Sequence, residues 1–94
     1  MADITVADVP DASRYEIRVD GELAGYAAYR GEPRRMVFTH TEIDAAYEGQ
    51  GLGGRLAAAA LDDVRARGLG VRADCPFIAG FIQRHAEYQD LVRS

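Results

Sequence analysis

Glu48-Gly49-Gln50-Gly51-Leu52-Gly53-Gly54 sets four glycines in six positions at the point where the hydrophobic period of the chain changes. Downstream, Leu52, Leu56, Ala60, Leu61 and Val64 fall on one stripe, while Arg55, Asp62, Asp63 and Arg65 fall on the other side. That spacing predicts an amphipathic helix of about four turns, closed by Gly68 as its C-terminal cap. Upstream, Arg35 to Ile43 alternates and is rich in β-branched and aromatic residues. It predicts a strand with Met36, Phe38, His40 and Glu42 on one face and Val37, Thr39, Thr41 and Ile43 on the other. A glycine-rich passage from strand to helix lets successive backbone N–H groups converge in front of the positive end of a helix dipole. That arrangement suits a diphosphate. A tight turn alone needs one or two glycines, fewer than stand here. No Lys-Ser/Thr pair completes a Walker loop, and a dinucleotide fold needs more βα units than this length holds.

Two further strands precede this unit. Tyr15, Ile17 and Val19 alternate with Arg14, Glu16 and Arg18, Asp20-Gly21 is a hairpin turn, and Leu23 to Arg30 runs to a turn at Gly31-Glu32-Pro33. Together with Arg35 to Ile43 they predict a three-stranded antiparallel meander. Residues Met1 to Ser13 read as a leader or a short edge strand. After the helix, Leu69 to Asp74 predicts a returning strand. Cys75-Pro76 opens a second helix toward His85 with Cys75 as N-cap, and Glu87 to Val92 forms a closing turn or helix. The order is α+β, one domain over residues 1–94 with its core at about 14–92, and one parallel crossover.

The 94 residues carry a net charge of -4, a pI near 5.0, 48% hydrophobic and 28% charged residues. This composition folds, and its acidity argues against nucleic acid and anionic membranes as partners. All 11 basic residues are Arg, so no lysine side chain is available for self-acetylation. The single Cys75 excludes an internal disulfide, and the absence of a signal-like opening or a spanning apolar run leads us to expect a cytoplasmic protein. No metal-ligand spacing is present. So small a core leaves monomer and homodimer both open.

The run Tyr47-Glu48-Gly49-Gln50-Gly51-Leu52-Gly53 resembles the acetyl-CoA loop of the GNAT N-acetyltransferase superfamily. Phe38-Thr39-His40-Thr41-Glu42-Ile43, the helix, Cys75-Pro76-Phe77 and Arg84-His85-Ala86-Glu87-Tyr88 resemble, in order, its small stand-alone branch, over Arg14 to Val92. Glu48 departs from the broad pattern, which has Arg or Gln there; an acid beside a diphosphate is repelled unless its side chain points away. The resemblance implies a minimal acyl-CoA N-acyltransferase fold that takes acetyl-CoA as cosubstrate. It implies that the loop from Gly49, with backbone N–H groups of Gln50, Gly51, Gly53 and Gly54, holds the diphosphate. It further implies that the strand ending at Ile43 splays from Leu69 to Asp74, so that Thr41 to Ile43 contacts the pantetheine arm as one strand contacts another and a backbone N–H there faces the acetyl oxygen. Valine at Gly51 or Gly53 is then expected to block the ligand with the fold largely intact.

Several side chains are candidates for chemistry. Arg55, in the first helical turn, is the side chain best placed to meet a phosphate; the other reading is an exposed helix arginine. Cys75, before Pro76, would aim its sulfur at a helix N-terminus, which favours thiolate; the resemblance puts it near the thioester, and the other reading is a buried structural cysteine. His40 and Glu42, two apart on one strand face, could share a water and act as general base for an acceptor amine, or form a plain surface pair. The expected function is acetyl-CoA-dependent N-acetyl transfer to an unidentified amine acceptor, small molecule or protein; the alternative is a CoA-binding module without efficient catalysis.

Overall fold

Alternation of apolar and polar residues builds the sheet, and the four-residue period after it builds the cover. The computed structural model describes residues 3–92. Its strands are β1 (Ile4–Val9), β2 (Arg14–Val19), β3 (Glu22–Glu32), β4 (Arg35–Ile43) and β5 (Gly70–Ala73); its helices are α1 (Leu52–Ala66) and α2 (Pro76–Arg84). The strands lie in sequence order, antiparallel from β1 to β4, with β5 parallel to β4. The meander therefore has four strands rather than three. Within the segment read as leader or edge strand lies β1, paired from Ile4↔Val19 to Val9↔Arg14, because Ile4 and Val6 add their side chains to the common core; Met1 and Ala2 lie outside the described residues.

Asp20 and Gly21, at φ of 50° and 85°, form the tight β2–β3 turn that the pair Asp-Gly favours. β3 runs through Gly31 and Glu32, beyond the expected turn, and the chain reverses at Pro33-Arg34.

One sheet face carries Tyr15, Ile17, Ala27, Met36, Phe38 and Val71, and both helices pack on it. α1 contributes Leu52, Leu56, Ala57, Ala60, Leu61 and Val64, and α2 contributes Ile78, Phe81 and Ile82. Full burial of a side chain such as Phe38 stabilises by about 1.5–3 kcal/mol. α1 stops at Gly68, whose φ of 73° an L side chain rarely adopts.

At its C-terminal end α1 is tied to its surroundings by side chains. Tyr15 Oη donates to Asp63 Oδ2 at 2.6 Å, Tyr88 Oη to Asp62 Oδ1 at 2.9 Å, and Arg65 to Asp90 at 2.9 Å. Arg67 bridges Asp8 at 2.6 Å and Asp63 at 2.9 Å. Burial, then the bond to Asp63, raises the Tyr15 phenol well above its ordinary range.

β4 is not one regular strand. Ala28 pairs with His40 but Tyr29 pairs with Phe38, so Thr39 is an extra residue that forms a β-bulge. The face expectation fails there. An added residue reverses the alternation, so Thr41 and Ile43 join Phe38 on the helix face while His40 and Glu42 turn to the opposite, helix-free face.

Candidate functional site

β5 leaves β4 beside the bulge. The two strands pair only from Arg35↔Gly70 to Phe38↔Ala73, and the last links are bonds from Asp74 N–H and Cys75 N–H to the Phe38 carbonyl at 3.0 and 3.1 Å. Pro76 has no N–H and opens α2, which turns the chain away. From Thr39 to Ile43, β4 is hydrogen-bonded to β3 on one edge only, among the described residues. An extended amide chain can complete such an edge.

Cys75 stands where the strands part. It is 3% exposed and its thiol donates to Thr41 Oγ1 at 3.4 Å. It is the N-cap residue of α2 as expected, but its side chain caps no N–H. The splay brings Thr41 of the facing strand within reach, and the thiol is bonded to it rather than to an N–H of the helix.

The glycine turn lies between a 3-10 turn, Ala45–Tyr47, and α1. Asp44 caps the 3-10 turn by accepting from Ala46 N–H at 2.9 Å. Gly49 and Gly51 have φ of 82° and 75°, and Gly51 caps α1 without any side-chain oxygen on the first N–H groups. Those donors are left for solvent or a ligand. Glycine at 51 is also demanded by the backbone, since a Cβ would meet no atom within 4 Å but the conformation itself is strained. At Gly53 a Cβ would come within 2.8 Å of the tip of the exposed Phe77 ring, which would have to shift. Valine at Gly51 would disturb the fold as well as a ligand, contrary to the expectation from sequence. Gly54 is different. A Cβ there would lie 3.8 Å from Phe81, an ordinary contact.

Beside this end of α1 lies a cleft of about 610 Å³, lined among others by Gly51, Gly54, Arg55, Phe81, Arg84 and His85. Arg55 is exposed and forms no ion pair among the described residues. His85 stacks on Phe81 with centroids 3.9 Å apart, and its Nδ1 lies 2.8 Å from the Phe81 carbonyl. Glu48 does not line this cleft; it borders another, of about 530 Å³, with Tyr26, Glu42 and Asp44. Gln50 is exposed within the turn.

His40 and Glu42 are brought together on the helix-free face, with Tyr26 beside both. Tyr26 Oη donates to Glu42 Oε2 at 3.1 Å, and the Tyr26 and His40 rings are 6.0 Å apart. Sequence reading missed Tyr26, since its pairing depends on register. It also missed Gly25, where a Cβ would meet the Ile43 side chain at 2.5 Å and the Glu42 carbonyl at 2.6 Å, so only glycine lets β3 approach the free end of β4. Phe81, a wall of the larger cleft, carried no signal beyond amphipathic spacing, and Arg84, another wall, stood in a resembling run without a role assigned to it. Among the described residues no group of three His, Cys, Asp or Glu could hold a metal.

The family model described as GCN5-related N-acetyl-transferase matches residues 14–91, most of the chain. The chain belongs to the GCN5-related N-acetyl-transferase family. The fold of this family member is similar to the crystal structure of a ribosomal-protein-alanine N-acetyltransferase from Brucella melitensis biovar Abortus 2308. The TM-score is 0.61 over 99% of this chain and 92% of that one, at 16% sequence identity. None of the curated proteins compared by sequence matches. The residues fit an acyl-CoA: uncapped N–H groups and Arg55 at the α1 N-terminus for a diphosphate, and a free β4 edge for an amide arm. Among the described residues no helix is long and apolar enough to cross a membrane.

Proposed function

We propose that the protein is an acetyl-CoA-dependent N-acetyltransferase acting on an amine. The observation that carries this reading is the separation of β4 from β5 after Phe38, with Cys75 and Thr41 in the gap and the uncapped start of α1 at its end. Acetyl-CoA supplies the activated acetyl group. The N–H groups around Gln50, Gly51, Gly53 and Gly54 bind the diphosphate with Arg55, while Gly49 shapes their approach. Thr41 to Ile43 orients the pantetheine amides, and a backbone donor on the same segment faces the acetyl oxygen. Cys75, buried and bonded to Thr41, closes the apolar side of the gap and excludes water.

An amine must be neutral to attack. Glu42 or His40, on the face away from the helices, accepts its proton. Direct transfer is favoured over an acetyl-cysteine step, because the Cys75 thiol is enclosed and directed at a neutral hydroxyl rather than at a base. The test is thermal unfolding with CoA and acetyl-CoA, paired with intact-mass analysis. At a ligand concentration 100 times Kd, binding to the folded state alone adds about 2.7 kcal/mol, or some 10 °C or more in Tm for a domain of this size. No shift at millimolar ligand would end the reading. A shift with no acetyl transfer to any primary amine would leave a CoA-binding module.

A further inference from the structure

Tyr26 lies directly opposite Glu42 in the β3–β4 register. Besides the bond to Glu42 Oε2 and the contact with His40, its ring carries the Arg14 guanidinium at 4.7 Å from the centroid. Arg14 is itself fixed, its Nε donating to Glu16 Oε2 at 2.8 Å, while Arg18 donates to Glu16 Oε1 at 3.0 Å. Glu16 is only 7% exposed on a face that no helix covers, because the two arginine stems fold over it. A line of contacts therefore runs from Arg18 through Glu16, Arg14 and Tyr26 to Glu42. A glutamate on an exposed strand otherwise samples several rotamers and loses that freedom when it must adopt one. A general base works only within hydrogen-bond reach of the proton it takes.

We propose that Tyr26 is a positioning residue for acetyl transfer: clamped by Arg14, it holds Glu42 Oε2 and leaves Oε1 to receive the acceptor's proton. The inference rests on the reading of Glu42 as general base. Tyr26 is not itself that base. Its phenol is raised above its ordinary range, first by the bond to Glu42 and then by burial and the Glu42 charge, with Arg14 opposing, so it keeps its proton and remains a donor.

The experiment is a double-mutant cycle of Tyr26→Phe and Glu42→Gln, read as thiol release from acetyl-CoA with n-butylamine as acceptor. Glu42→Gln should lower kcat about 100-fold or more, the range of a lost general base. Tyr26→Phe should lower kcat about 10-fold, with KM for the amine and CoA affinity within about twofold, and should add nothing in the Glu42→Gln background. A second readout needs no turnover: NMR titration of the tyrosine ring carbons should show the Tyr26 phenol ionising at lower pH once Glu42 is Gln. Multiplying effects in the cycle, or a Tyr26 titration indifferent to Glu42, would overturn the positioning role while sparing Glu42. An unchanged kcat in Glu42→Gln alone would overturn the base reading and the inference with it.

Discussion

The two ends of α1 are built on opposite principles. Its C-terminal end is tied by Tyr15 and Arg67 to Asp63, by Tyr88 to Asp62 and by Arg65 to Asp90. Its N-terminal end has no side-chain cap, two glycines in its first turn and, among the described residues, no ion partner for Arg55. One end spends its polar groups within the fold; the other leaves donors unused where they converge. A helix anchored by its far end can hold its near end open, because the apolar stripe and the C-terminal bonds already fix its position. On the proposed reading of the glycine turn, substitutions at the anchored end should change stability alone, whereas those at the open end should also change CoA binding.

The largest expected effect is at the anchored end. Tyr15→Phe removes a bond to a carboxylate that still keeps Arg67, and should lower stability by about 2 kcal/mol with CoA affinity unchanged. The pH dependence carries a definite sign. The Tyr15 phenol is raised in the folded state, so its contribution is full below its unfolded value near pH 10 and is lost as pH rises above it. Chemical denaturation should therefore show the gap between wild type and variant closing in alkali. A constant gap across that range would mean that the phenol bond is not what holds the helix.

An intermediate effect belongs to the turn. Gly51→Ala places a Cβ at φ of 75°, costing about 1 kcal/mol by conformation alone, since nothing crowds the site. Isothermal titration should show weakened CoA binding beyond what the stability loss explains. Equal affinity in both proteins would make the turn merely structural.

The smallest effect is a gain. Gly54→Ala replaces a helical glycine where a Cβ meets only Phe81 at van der Waals distance, and should raise stability by about 0.5 kcal/mol. If the first turn of α1 faces the diphosphate, the same change weakens CoA binding, measured by titration. A variant both more stable and equally tight would show that residue 54 stands clear of the ligand.

Much of the fold was legible. The helix from Leu52, its stop at Gly68, the Asp20-Gly21 turn and the Cys75-Pro76 start of α2 all follow from side-chain period and from φ limits peculiar to glycine and proline. β1 was half legible, because a six-residue strand has too few alternations to distinguish it from a leader until Tyr29 and Arg67 meet Asp8. The glycine turn was legible in the sequence, but what each glycine meets in the fold was not. Gly53 answers to Phe77, which lies 24 residues further along the chain, and no local pattern encodes that contact.

Period, turn chemistry and capping are properties of neighbours in sequence, so they settled the order of elements and the place of the glycine-capped helix before any contact was known. The facing of His40 and Glu42 was decided by one inserted residue, Thr39, because a bulge exists only in the register between two strands. The meeting of Cys75 with Thr41 and of Tyr26 with Glu42 was decided the same way. Each joins residues far apart in sequence whose distance depends on how β3, β4 and β5 diverge, a quantity that the packing of α1 and α2 against the sheet sets and that no single strand carries.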